Sequence, residues 1–297
     1  MVLADVKVRS WEDDYPILTI EMGESERAIL TASEIALPRG YLSPSSINMY
    51  LRCPLQFYHR YILNIKEPPA IALIEGGVHH SVLETNNRYK KRKKEDLPAA
   101  QLVEMFKDKF SDKKQEIEDW EDETENGINA RAEGLLSDYI EKFAPKLEPV
   151  LIETKVQIDF QSNKADPTDE SIKLLGFLDV EGNFTGKETV LDYKTGKKTK
   201  TQAELESDIG LSFYGLGSAL LLKRKVDIGF CMLKKIKKPV VEWLPATFTQ
   251  QRNKWFRQIV VRVANAVSLG SFPPCNPAHW CCSERFCGYW RKCRGKK

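Results

Sequence analysis

The rhythm of apolar and polar positions changes once along the chain, near residue 149. Before that point the spacing is helical. In "SPSSINMYLRCPLQFYHRYIL" the residues Ile47, Tyr50, Leu51, Leu55, Tyr58 and Ile62 recur at helical intervals behind a Ser-Pro start suited to a cap and first turn. Pro54 breaks or kinks that helix, because it brings no backbone N–H. "ALIEGGVHHSVLETNNRYKKRKKE" follows as a helix running into a basic surface, and residues 98–146 are charge-rich with helical periodicity.

After residue 149 the apolar positions fall into short runs: "PVLIETKVQIDF", "SIKLLGFLDVEG" and "TVLDYKTGK", separated by the polar turns "QSNKADPTDE" and "GNFTGKE". An apolar helix is expected over residues 203–224, strands over 226–235 and 240–248, and an amphipathic helix over 249–270. Helices flanking such strands predict an α/β (α+β) core with a central sheet. Residues 1–40 form an N-terminal extension of unassigned role, in which "PILTIEM" is strand-like.

Composition narrows the class. The chain has 297 residues, 42% hydrophobic and 29% charged, as expected of a globular protein with a substantial core. No apolar run approaches the ~20 residues of a membrane span, and the first residues lack a signal peptide's apolar stretch. A cytoplasmic protein is expected, or one of the host-cell cytoplasm if viral. A net charge of +3 does not by itself demand a nucleic-acid partner. Its distribution is more telling: after Glu284, "RFCGYWRKCRGKK" interleaves basic residues with Phe286, Tyr289 and Trp290, which suits phosphates and unstacked bases.

The candidate chemistry begins at "LDYKTGK". Alternation along a strand puts Asp192 and Lys194 on one face and Tyr193 on the other. Asp179 ends the preceding strand, and a hairpin would bring the two acidic ends together. Paired carboxylates beside a lysine make a hard-oxygen site for Mg²⁺ or Mn²⁺, with a cation to orient water or steady developing charge. "EGGVHHSVLE" adds His79 and His80, either of which could complete such a site from a helix. Five of the seven cysteines, Cys275, Cys281, Cys282, Cys287 and Cys293, lie near the C-terminus. In an intracellular chain this clustering favours a metal or iron–sulfur site over disulfides. Thiolate-rich coordination suits either [4Fe–4S] or Zn²⁺.

Taken together and in this order, "SPSSINMYLRCPLQFYHRYIL", "EGGVHHSVLE", "GFLDVEG", "VLDYKTGK" and the cysteine tail resemble the PD-(D/E)xK nucleases. The branch resembled is the RecB-like, iron–sulfur one that includes the AddB C-terminal nuclease and CRISPR-associated exonucleases. The resemblance implies a restriction-endonuclease-like fold over residues 41–297, with a central mixed sheet, a helical insertion at about 91–146 and an iron–sulfur segment at 275–293. It aligns Gly76, His80, Leu83 and Glu84 with a family motif and thereby selects His80 over His79. It assigns Asp179, after Gly176, and Asp192 as metal ligands, joined by His80 and the Tyr193 carbonyl, and Lys194 as the catalytic lysine. Glu153 is an auxiliary acidic candidate.

The resemblance also implies a [4Fe–4S] cluster on Cys53, Cys282, Cys287 and Cys293, with Cys281 as the alternative to Cys282. Cys275 is then expected to be free and Cys231 a buried core thiol. The implied activity is a Mg²⁺- or Mn²⁺-dependent DNA exonuclease acting from single-stranded ends in recombination, repair or end processing, beside a helicase or recombination partner and away from membranes. One departure stands out. Where the family carries QxxxY, this chain has Tyr214 but Gly210 in place of the glutamine, which puts substrate positioning in question. The rival reading is a non-catalytic nucleic-acid-binding iron–sulfur module of a recombination or CRISPR-adaptation complex.

Overall fold

The computed structural model describes residues 17–21, 37–161, 172–222 and 226–295. Most of the N-terminal extension and of the "QSNKADPTDE" turn, and the terminal Lys296 and Lys297, lie outside them. The main elements are β1 (Ile17–Glu21), α1 (Pro44–Arg52), α2 (Ile71–Lys93), α3 (Ala99–Lys113), α4 (Glu125–Asp138), β2 (Leu147–Gln161), β3 (Ile172–Phe184), β4 (Lys187–Gly196), α5 (Ile209–Leu222), β5 (Asp227–Lys234), β6 (Val240–Ala246) and α6 (Gln250–Ser268). The strands follow one another in sequence order across a six-stranded sheet. Pairing is parallel for β1–β2 and β4–β5 and antiparallel for β3–β4 and β5–β6, so the sheet is mixed. Among the described residues no helix is long and apolar enough to cross a membrane.

The chain divides into two compact units. The first combines residues up to Glu67, Lys155–Gly176 and Thr249 onward. In it, Ser43 caps α1 through a reciprocal bond with Ser46, and Pro44 takes the first turn. The residue before a proline is pushed out of helical geometry. Cys53 accordingly sits extended at φ −160° and ψ 103°, ends α1, and restarts the chain as the short turn Pro54–Phe57. The break also leaves Leu51 and Ile62 exposed, although the helical spacing grouped them with the buried Ile47 and Tyr50. Tyr50 donates to the Ser271 carbonyl at 2.7 Å and Tyr289 to the Ile65 carbonyl at 2.6 Å, tying the two chain ends together.

The second unit, Pro68–Thr154 with Phe177–Phe248, holds the charge-rich region as α3 and α4. Their apolar faces join α2 and the sheet in one core that includes Leu83, Phe106, Leu135, Tyr139, Leu191 and Tyr193. A two-residue turn at Thr185 (φ 53°) and Gly186 (φ 83°) closes the β3–β4 hairpin, in the left-handed geometry that matches strand twist. Gly182 in β3 is required for another reason: a Cβ there would collide with the Glu148 carbonyl of β2. The hairpin register runs from Phe184 opposite Lys187 to Val180 opposite Leu191, and so brings Asp179 level with Asp192.

Candidate active site and cysteine cavity

Each site residue owes its place to a different element. The short hairpin fixes Asp179 against β4, where the Tyr193 N–H donates to Asp179 Oδ2 at 2.7 Å. Alternation then turns Tyr193 inward, and its hydroxyl accepts from Asn87 Nδ2 at 2.9 Å and bonds the Tyr139 hydroxyl at 2.9 Å. Asp192 and Lys194 take the opposite face and form an ion pair at 2.6 Å. Burial pushes the Asp192 carboxyl up to about 6; the Lys194 charge opposes this and the Asp179 charge adds to it. For Lys194, burial favours the neutral amine, but Asp192 outweighs it, so the lysine is raised above its usual value and stays protonated.

Helix α2 settles which histidine faces the acids. Neighbouring helical residues point about 100° apart. His79 is completely buried, 4.6 Å from the Phe106 ring, and burial pushes it down to about 3. His80 instead brings Nδ1 to 3.3 Å from Asp179 Oδ2. Burial disfavours its charged form, but the Asp179 bond and the charges of Asp179 and Asp192 prevail and raise its pKa. Helix and strand approach closely here: a Cβ on Gly76 would lie 3.2 Å from Thr195 Oγ1.

Glu153 completes the group. It adopts φ 45°, a left-handed conformation rare for a non-glycine residue, within the long strand β2. Burial, then the charges of Asp179 and Glu84, push it up to about 7. Donor atoms of His80, Glu153 and Asp179 lie within 4.8 Å of one another. Together with Glu84, Lys194 and Thr195 these residues line an open cleft of about 530 Å³. Carboxylates crowded beside an imidazole nitrogen, with Glu153 and Asp192 driven toward protonation, are a donor set that a hard divalent cation fits and relieves.

Helix α5 carries the departure noted in the sequence. A Cβ at Gly210 would sit 3.7 Å from the Tyr214 ring, so the two positions share a face, as the motif requires. Burial, then Asp192 and Asp179, raise the Tyr214 hydroxyl well above its usual range. Asp208 escaped the sequence reading. It accepts from the Leu211 N–H at 3.0 Å at the start of α5, and its charge adds to those that keep Lys194 protonated. The signal was available: an aspartate immediately before the apolar run that follows the D-x-K strand.

In the first unit a cavity of about 20 Å³ is lined by Cys53, Cys275, Cys281, Cys282, Cys287 and Cys293, together with His59 and Trp290. None of the cysteines forms a disulfide. The four expected cluster ligands are therefore brought together from distant parts of the chain, and a thiol-rich cavity fits a thiolate-bound metal group. Cys275, expected to be free, lies among them. Its N–H donates to Cys53 Sγ at 3.4 Å, and its sulfur lies 3.8 Å from that of Cys281, which is 2.9 Å from His279 Nδ1. Cys231 is fully buried on β5, as expected.

A family model described as the PD-(D/E)XK nuclease superfamily matches residues 41–294. The chain belongs to this superfamily. Among solved structures, "Putative exonuclease" from Eubacterium rectale shares 13% identity at a TM-score of 0.52, covering 87% of this chain and 90% of that one. At that identity the likeness speaks for the fold alone. A second structure, named SSO0001, covers 85% of this chain and 96% of its own at 13% identity, but its TM-score of 0.33 carries no weight. No curated protein matches the chain. Membership in the PD-(D/E)XK superfamily identifies the mixed sheet and its flanking helices as a nuclease fold and the chain as a nuclease.

Proposed function

We propose that this nuclease is a Mg²⁺- or Mn²⁺-dependent deoxyribonuclease of the RecB-like iron–sulfur type, hydrolysing phosphodiester bonds from single-stranded DNA ends. The observation that carries this reading is the convergence of Asp179, Asp192 and Lys194 on one side of the sheet with His80 and Glu153 at the cleft. Asp179 and Asp192, assisted by His80, Glu153 and the Tyr193 carbonyl, would hold the divalent ions. Bound there, the metal would supply Lewis-acid charge to the phosphate and lower the pKa of a water. Lys194, held protonated by Asp192, would orient that water and stabilise charge as the scissile bond lengthens. Tyr214, whose hydroxyl is raised by burial and by the charges of the same acids, would contact substrate without the amide that the motif places at the Gly210 position.

Cys53, Cys282, Cys287 and Cys293 would ligate a structural [4Fe–4S] cluster that closes the link between the N-terminal helix and the C-terminal tail. The absence of close C-x2-C pairs favours a cluster over zinc. The expected setting is cytoplasmic DNA recombination, repair or end processing with a helicase or recombination partner.

The deciding experiment is digestion of matched linear and circular single-stranded and duplex DNA, end-labelled, with each metal in turn. Release of nucleotides from linear single strands only supports the proposal. Equal cutting of circles makes the protein an endonuclease. No hydrolysis with either metal, from protein that still binds DNA, selects the non-catalytic binding module.

A further inference from the structure

The cysteine-rich tail displays an aromatic surface that the cavity does not use. Trp280 is 61% exposed and Phe286 55%, although large apolar rings are normally withdrawn from water. Their centroids lie 5.6 Å apart, edge to face at 77°, and His279 extends the array 5.6 Å beyond Trp280. Successive turns hold the rings in place: Cys282 N–H donates to the His279 carbonyl at 2.8 Å, and Phe286 N–H to that of Ser283 at 3.2 Å. These bonds fix the backbone that carries the two rings.

One cation lies against the rings, on a tail that is basic along its length. Arg285 stacks on Phe286 with its guanidinium carbon 5.3 Å from the centroid. Arg291 is paired with Glu284 at 2.8 Å, and Lys292 and Arg294 are exposed on the helical turn Trp290–Arg294. Glu284 is the only acid after Trp280. By contrast, Tyr289 is buried, with its hydroxyl on the Ile65 carbonyl, and Trp290 lines the cysteine cavity. Of the three aromatics that the sequence pointed to, Tyr289 is therefore committed to the interior and Trp290 to the cavity wall, and Trp280 joins Phe286 at the surface.

We infer that Trp280 and Phe286, with Arg285 stacked on Phe286, form a stacking platform for the unpaired bases of a single-stranded nucleic acid. Flat rings offer their faces to any base, and Arg285, with the basic tail that follows, supplies charge for the phosphates. A duplex hides its base faces in its own stack, so the platform discriminates by strandedness and not by sequence. This inference rests on the nuclease reading only for the identity of the ligand; it places the platform on the tail and assigns it no step in hydrolysis.

The test uses the full chain in a Lys194→Ala background, so that the strand survives the titration, with a labelled thymidine homopolymer followed by anisotropy. Trp280→Ala and Phe286→Ala should each weaken binding by about tenfold, and the pair by more, while affinity for a duplex of the same length stays unchanged. Trp280→Phe, which keeps a ring, should retain most of the affinity, and stacking should quench the share of the fluorescence that Trp280, one of six tryptophans, contributes, a quench that Trp280→Phe no longer shows. Visible absorbance and melting temperature confirm that the tail is intact in each variant. Unchanged single-strand affinity in the double variant overturns the inference. So does an equal loss for duplex, which would mean phosphate contact alone, or a sedimentation shift showing that the rings join two copies of the chain. A wild-type protein that binds but never cleaves rejects the nuclease proposal and leaves the platform standing. Cleavage by wild type with undiminished binding by the double variant rejects the platform alone.

Discussion

The backbone N–H of Tyr193 donates to Asp179 Oδ2 at 2.7 Å, so one carboxylate is oriented by the very strand that carries the other. Asp179 cannot turn away from Asp192 without breaking a buried hydrogen bond, which costs about 1–3 kcal/mol. The hairpin is therefore a rigid holder for two acids that repel each other.

Lys194→Ala should lower turnover by about 10²- to 10³-fold while leaving DNA affinity within a few fold, since the amine acts on developing charge. Asp192→Ala and Asp179→Ala should also abolish cleavage, by weakening metal binding. Steady-state rates on homogeneous protein at saturating DNA check this; near-normal turnover in Lys194→Ala or Asp192→Ala would sink the assignment.

His79 and His80 should separate cleanly. His80→Ala should weaken divalent-metal binding measured by calorimetry and reduce activity less than loss of either aspartate, with little change in stability. His79→Ala should leave metal affinity intact but cost about 2–4 kcal/mol in urea denaturation, because it opens a cavity against Phe106. The reverse pattern would assign the site to the other histidine.

Tyr193→Phe keeps the backbone N–H and carbonyl but removes the hydroxyl that Asn87 and Tyr139 share. Stability should fall by about 1–3 kcal/mol, as buried polar groups lose a partner. Turnover at saturating metal should change little. A loss of activity matching that of Lys194→Ala would mean that the hydroxyl, and not the strand alone, serves the site.

Anaerobically purified protein should be brown, with close to four irons per chain, and Cys53→Ala, Cys282→Ala, Cys287→Ala or Cys293→Ala should bleach it. Cys231→Ala should keep the colour and cost some packing. Cys275→Ala should keep it too, even though the residue touches Cys53 and Cys281. Metal analysis decides: one zinc per chain, lost on replacing Cys275, Cys281 or His279, would reject the cluster and leave the nuclease fold untouched.

What the sequence determined by itself is local. A period of two puts Asp192 and Lys194 on one face, Pro54 breaks a helix at Cys53, and Thr-Gly closes a hairpin, because each is dictated by backbone sterics within a few residues. The rest depended on groups distant in the chain. The helical pattern left His79 and His80 equivalent and the motif resemblance chose His80, but the physical reason is the packing of α2, which sets His79 against Phe106 and His80 against Asp179. Glu153 joins the acids through a left-handed residue inside a strand, a conformation that local sequence disfavours and only its surroundings sustain. In the tail, Tyr289 and Trp290 look as available as Trp280 until folding gives the first a carbonyl and the second a cavity wall. The pattern of neighbours foresaw a buried Cys231 on its strand, but which tail aromatics are withdrawn from water depends on what else arrives at the same place.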